Sequence, residues 1–218
     1  MQPEKNLKVI DLNENLIEHN EFLAEQNKET FSKYDIKTFD IVGAIGAGKT
    51  SLLEAIIDKI EGKKRILVIN GDVTSRIDAN RIGAHGVKTI QINTGRECAL
   101  NAYHISRVIK NFDLSKFDIV FIENVGNLIC PSDFILGADK RVVVVSVTEG
   151  EWVIQKHPLL FKLSDIAVIN KIDLLDILDI NLESMINDAK QINPNIQVFP
   201  VSAKTRTNID DLIKTMFA

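Results

Sequence analysis

Cysteine is scarce in this 218-residue chain: there are two, Cys98 and Cys130. Two thiols are too few for a secreted disulfide framework, which leaves free thiols or metal ligands as the readings. No run approaches the roughly 18 apolar residues that a membrane span needs. The opening Met1-Gln2-Pro3-Glu4-Lys5-Asn6 carries no apolar signal region, which predicts a cytoplasmic protein. There is no basic excess either. The 26 Lys and Arg face 30 Asp and Glu for a net charge of −4, which argues against nucleic acid as a partner. No internal repeat or low-complexity segment stands out. What is present, 45% hydrophobic and 26% charged residues, is ordinary for a globular protein. The length suits one α/β domain with a substantial core.

Seven short runs rich in Val and Ile predict strands: Phe39–Val42, Ile66–Ile69, Thr89–Ile92, Ile119–Ile122, Val142–Val147, Ile166–Ile169 and Gln197–Val201. Continuous apolar runs of this kind mark strands buried on both faces of a parallel sheet. Helical patterns fall between several of them, near 51–60, 98–111, 157–163, 182–192 and 207–217. The alternation predicts a doubly wound, mostly parallel α/β sheet with ligand loops at the carboxyl ends of its strands. A further helix is expected over 11–33, with Leu12, Leu16, Leu23 and Ala24 as a partial apolar stripe. Residues 1–37 then form a helical extension on the core, joined through Tyr34-Asp35-Ile36-Lys37, and 38–218 the main domain.

Gly43-Ala44-Ile45-Gly46-Ala47-Gly48-Lys49-Thr50 follows the first strand and opens the next helix. This is the G-x-x-x-x-G-K-[ST] phosphate-binding pattern in its required context. Glycines let the backbone close around phosphate, and the N–H groups that follow, through Ser51, meet its oxygens at the positive end of a helix. Lys49 is expected on the β- and γ-phosphates and the Thr50 hydroxyl on Mg²⁺.

Asn170-Lys171-Ile172-Asp173 follows the sixth strand, and Ser202-Ala203-Lys204 the seventh. Guanine offers N1–H and N2–H together, which one carboxylate, Asp173, can accept at once; adenine offers no such pair. Asn170 is expected to fix the loop and meet the base edge, the Lys171 stem to pack along the base face, and an N–H of the Ser202–Lys204 loop to meet O6. Asp72, Asp78 and Glu123 are the candidate Mg²⁺ or catalytic acids, each close after a strand, with Thr74–Asp78 as a switch. A helix cap or a solvated turn is the alternative for each of the three.

Several longer segments carry a resemblance. They are Asn93-Thr94-Gly95-Arg96-Glu97-Cys98, Glu123–Pro131, Thr148-Glu149-Gly150, Lys156-His157-Pro158 and Asn170–Asp173. With the Gly43–Thr50 loop they resemble the HypB family of hydrogenase nickel-incorporation GTPases, over nearly the whole chain. The resemblance implies a SIMIBI-like P-loop GTPase that uses GTP and Mg²⁺, with Lys49, Asp72 and Glu123 as catalytic residues. It also implies a nucleotide-dependent homodimer, a HypA-type nickel accessory protein as partner, and delivery of nickel to the [NiFe] hydrogenase large subunit precursor. The family's Ni²⁺ or Zn²⁺ site implies Cys98, the residue after it and Cys130. Here Ala99 stands where histidine is common, so weaker binding is expected, and a two-fold dimer would pool four sulfurs. His104, read as helical with Cys98, falls about 120° off its face and is a poor substitute. Residues 1–37 hold one histidine, His19, and no cysteine, unlike members with a nickel-storing tail. His157-Pro158 reads as a helix start, and Trp152 as an interface anchor or a half-buried loop residue. No Ras-like glutamine is evident, so slow turnover is expected, and none of Arg76, Arg81 or Arg96 is singled out for the transferring phosphate. A urease accessory GTPase is disfavoured by Ser132 after Cys130-Pro131. A metal-carrying module with vestigial hydrolysis and an assembly GTPase without a transition metal stay open.

Overall fold

The computed structural model describes residues 12–72 and 76–218. Residues 1–11 of the expected extension and the Thr74-Ser75 part of the expected switch lie outside the described residues, as does the side chain of Leu12. The elements run α1 (Leu12–Lys33), β1 (Lys37–Gly43), α2 (Lys49–Ile60), β2 (Ile66–Asp72), α3 (Ile77–Gly83), β3 (Lys88–Asn93), α4 (Ala102–Asn111) and β4 (Ile119–Glu123). Then follow β5 (Lys140–Ser146), α5 (Val153–Lys156), α6 (Pro158–Lys162), β6 (Ile166–Asn170), α7 (Leu182–Ile192), β7 (Gln197–Pro200) and α8 (Ile209–Phe217).

All seven expected strands form, in one sheet of order β3-β2-β4-β1-β5-β6-β7. Every pairing is parallel. β1 lies between β4 and β5, so the loops leaving these strands meet above one crevice. Alternation along each strand feeds two layers. Phe39 and Ile41 of β1 pack with Phe121 of β4 and with Leu52, Leu53 and Ile56 of α2. Val42 faces the other way, toward Val143, Phe161 and Met185, while Val120 and Ile122 meet Phe31, Leu100 and Ile105.

On that second face the sheet buries an ion pair. Arg141 Nε of β5 donates to Asp40 Oδ2 of β1 at 2.9 Å, with both side chains under a tenth exposed. Asn124 Nδ2 and the Phe134 carbonyl complete the cluster, at 3.2 Å from Asp40 and 2.7 Å from Arg141. Burial still drives the Asp40 carboxyl above its ordinary value, against the pull of Arg141.

Four local expectations are corrected. The helix expected over 98–111 starts at Ala102, because Asn101 caps it by accepting from His104 N, so Cys98 lies in the preceding loop. The face argument made for His104 therefore does not apply. The helix expected over 157–163 forms as α6, with Pro158 in its first turn as expected, but the short α5 that precedes it across His157 was not expected. α3 was not expected: only Ile82 in it is buried, so it carries no apolar stripe. The inward face of α1 is Asn20, Ala24, Asn27 and Phe31, while Leu16 is 61% exposed. Trp152 is also exposed, at 59%.

Removing one partner of a buried ion pair leaves the other charge uncompensated. Arg141→Ala is expected to cost about 3–5 kcal/mol in equilibrium denaturation. A loss under about 1 kcal/mol would show that the pair does not hold β1 to β5.

Candidate functional site

The turn from β1 into α2 forms the phosphate loop. Gly48 has φ 97° and abuts the Asn170 amide, so a Cβ there would overlap it and only glycine fits. Lys49 Nζ bends back onto the loop and donates to the carbonyls of Gly43 at 3.0 Å and Ala44 at 3.1 Å. Burial lowers its pKa, countered in turn by Glu123, Asp78, Glu149 and Asp72. The three acids picked from sequence thus act on one lysine. Glu149, which follows β5 as the other site residues follow their strands, joins them; the sequence reading gave it only as part of a family segment. Burial also raises the Glu149 pKa.

The Thr50 hydroxyl donates to Glu123 Oε1 at 2.7 Å, and Asn70 Nδ2 donates to Glu123 Oε2 at 3.0 Å. Glu123 is 3% exposed. Burial outweighs these bonds and the attraction of Lys49, and its pKa rises to about 7. Asn70 Oδ1 is buried with no partner among the described residues. A buried carboxylate, a hydroxyl and an unsatisfied amide oxygen are hard oxygen donors of the kind Mg²⁺ takes.

A cavity of about 400 Å³ opens beside the loop, lined in part by Gly48, Ser51, Asn170, Asp173, Ala203 and Lys204. Asp173 accepts from Ser202 Oγ at 2.6 Å. Lys171, held at φ 64°, reaches across to donate to the Gly46 carbonyl at 2.6 Å and meets Thr148 Oγ1 at 3.2 Å. Asn170 fixes the loop as expected, but by spending its amide internally. Its Nδ2 donates to the Ala47 carbonyl, and its Oδ1 accepts from the N–H groups of Lys171 and Ala203. It is 1% exposed, with both amide atoms bonded to the loops around it. The N–H of Ala203 is likewise turned inward. Of the three arginines, Arg81 bonds to the first turns of α2, just beyond the phosphate loop, donating to Ser51 Oγ at 3.0 Å and to both carboxylate oxygens of Glu54, at 3.1 and 2.6 Å.

The cysteines depart from expectation. They are neither free nor fully buried: Cys98 and Cys130 are joined in a disulfide, with Cα atoms 6.1 Å apart. Cys98 is exposed and Cys130 half-buried. Their loops leave β3 and β4, the two neighbours of β2, and fold together over its end, within disulfide reach. Ala99 is buried and offers no donor. No cluster of three or more His, Cys, Asp or Glu suited to a metal ion occurs among the described residues. His104 is occupied as a cap, its Nδ1 accepting from Asn101 N and its Nε2 lying 3.5 Å from Glu97.

Two asparagines that the sequence reading gave only as part of the Glu123–Pro131 segment tie this pair to the nucleotide loop. Asn127 N–H donates to the Gly43 carbonyl at 3.0 Å, while its Nδ2 donates to Cys130 Sγ at 3.3 Å. Asn124, next to Glu123, accepts from Leu100 N at 2.9 Å and so holds the Cys98 loop. Their sequence signal is membership of that segment and position: both follow a strand.

A parallel sheet with Gly43–Thr50 at the end of its central strand and Asn170–Asp173 beside it defines a P-loop protein of the GTPase fold type. Residues 37–200 match the family model described as CobW/HypB/UreG, nucleotide-binding domain. The chain is 44% identical over 206 residues, 94% of it and 93% of its relative, to the probable hydrogenase maturation factor HypB of Methanocaldococcus jannaschii. It spans 65% of the longer HypB of Azotobacter vinelandii, at 37% identity over 91% of this chain. The crystal structure of HypB from Archaeoglobus fulgidus superposes with a TM-score of 0.86 at 42% identity, covering 92% of this chain and 98% of that one. HypB from Helicobacter pylori in complex with nickel gives 0.85 at 31%, covering 91% and 94%. The chain belongs to the CobW/HypB/UreG family and, within it, to the HypB hydrogenase maturation factors. No helix among the described residues is long and apolar enough to cross a membrane.

The raised pKa of Glu123 has a stability consequence. Between the ordinary glutamate value of 4.5 and about 7 the folded state binds a proton that the unfolded state has lost. Stability therefore falls as pH rises through that window, by up to about 3 kcal/mol. Glu123→Gln, which mimics the neutral form, should stabilise the nucleotide-free protein at pH 8 and have little effect at pH 5. A pH-independent difference in thermal unfolding would contradict this.

Proposed function

We propose that this chain is a GTP-hydrolysing switch that assists nickel insertion into [NiFe] hydrogenase during maturation. The observation that carries the reading is Asn127, which holds the phosphate loop at the Gly43 carbonyl with one N–H and Cys130 Sγ with another. A nucleotide arriving at the loop is thereby felt at the thiols.

Asp173, beside the cavity, would accept guanine N1–H and N2–H. Triphosphate would draw Lys49 Nζ off the Gly43 and Ala44 carbonyls onto β- and γ-oxygens. Thr50 and Glu123, with Asp72 and Asp78 nearby, would hold Mg²⁺, which supplies charge neutralisation on the phosphates. Hydrolysis transfers the γ-phosphoryl group from the β,γ-bridging oxygen to water and leaves GDP and phosphate. Glu123, whose second carboxylate oxygen faces Asn70, would orient that water by accepting its hydrogen bond. The absence of a dedicated glutamine fits slow turnover, as a switch requires.

Nickel, or zinc in its place, would be cargo on Cys98 and Cys130 once they are reduced to thiolates, as a cytoplasmic setting would keep them. Two sulfurs are an incomplete set, so a nucleotide-dependent homodimer would supply four. A HypA-type accessory protein and the hydrogenase large subunit precursor are the partners this reading assigns. An assembly GTPase without a transition metal is the second reading, and Ala99 favours it.

Base selection tests the nucleotide half. Asp173→Asn should lower GTP affinity by roughly two orders of magnitude or more. It should raise affinity for xanthosine triphosphate, whose C2 oxygen can accept from the new amide N–H. Unchanged preference in a competition titration would remove Asp173 as the selector.

A further inference from the structure

α1 turns two asparagines inward where a helix normally packs apolar side chains. Asn20 and Asn27 are 6% and 2% exposed. Asn20 Oδ1 accepts from Ala102 N at 2.8 Å and its Nδ2 donates to the Ile135 carbonyl at 2.9 Å. Asn27 Nδ2 donates to the carbonyls of Ala102 at 2.9 Å and Leu136 at 3.1 Å. Ala102 opens α4 just beyond Cys98, and its N–H has no partner within that helix. Ile135 and Leu136 follow closely on Cys130. Between these bonds Gly137, at φ 86°, lets the Ala24 carbonyl come so near that a Cβ would overlap it. Burying an amide is costly unless its hydrogen bonds are made. Here they are made to backbone of the two segments that carry the thiols, and each asparagine bonds to both.

We infer that Asn20 and Asn27 are positioning residues for the Cys98–Cys130 pair. They bind both thiol-bearing segments to one rigid helix and so set the effective concentration of each sulfur at the other. Neither asparagine touches a sulfur; they act through the backbone at Ala102, Ile135 and Leu136. The consequence for a metal held by both sulfurs rests on the nickel reading above; the thiol–disulfide equilibrium does not.

The test is an equilibrium titration of the full chain in glutathione buffers. Oxidation of the two thiols to one disulfide reduces one glutathione disulfide to two glutathiones, so the constant reads the effective concentration directly. The Asn20→Ala, Asn27→Ala double variant should lower that constant at least about tenfold, whereas Glu21→Ala, on the exposed face of the same helix, should leave it unchanged. Coupling is reciprocal. In the wild-type chain, reduction of the disulfide should therefore speed amide hydrogen exchange across α1 at least about threefold, a measurement that needs no variant to fold. Equal constants in double variant and wild type would overturn the inference, and so would exchange in α1 that ignores the redox state. A shifted redox constant with unchanged Ni²⁺ affinity would support the positioning role and count against the nickel reading.

Discussion

The Gly43 carbonyl oxygen is the point on which this structure turns. It ends the central strand, and it accepts from Lys49 Nζ and from Asn127 N–H, both at 3.0 Å. The first donor is the phosphate-loop lysine, the one that the proposed function draws to β- and γ-oxygens. The second belongs to the loop that carries Cys130. When one donor leaves, the oxygen, the loop and the remaining donor must readjust within a close-packed interior. Two sites with nothing in common chemically thus share an acceptor.

Around that oxygen the charges are deliberately poor in solvent. Lys49 and Glu123 are both buried, and each is pushed toward its neutral form. The cost of holding them there is offset by their hydrogen-bond partners: Thr50, Asn70 and the loop carbonyls. Arg81, from the helix that follows the undescribed Val73–Ser75 segment, is bonded to Ser51 and Glu54 on α2. It joins α3 to the first turns of α2, just beyond the nucleotide loop.

The strands were legible because a parallel sheet covered on both faces leaves Val and Ile runs in sequence. The phosphate loop and Asn170–Asp173 were legible because close backbone approach and base chemistry each demand particular residues at fixed spacing. α3 was not, since it buries only Ile82. The inward face of α1 was misread because its period is carried by asparagines, which an apolar stripe does not reveal. The helix containing Cys98 was drawn too long because the cap at Asn101 was not recognised. The disulfide could not be read, for it depends on where two loops from non-adjacent strands come to rest. Asn124 and Asn127 act through a few hydrogen bonds each and form no periodic pattern to betray them.

The central claim is that nucleotide state and thiol chemistry are coupled through the phosphate loop. Light-scattering mass of the reduced chain tests it most directly, with and without a non-hydrolysable GTP analogue and Mg²⁺, each with and without Ni²⁺. The account predicts a dimer that needs nucleotide and is strengthened by Ni²⁺. A nucleotide-driven dimer indifferent to Ni²⁺ would contradict it and leave a GTP switch whose two cysteines serve structure alone.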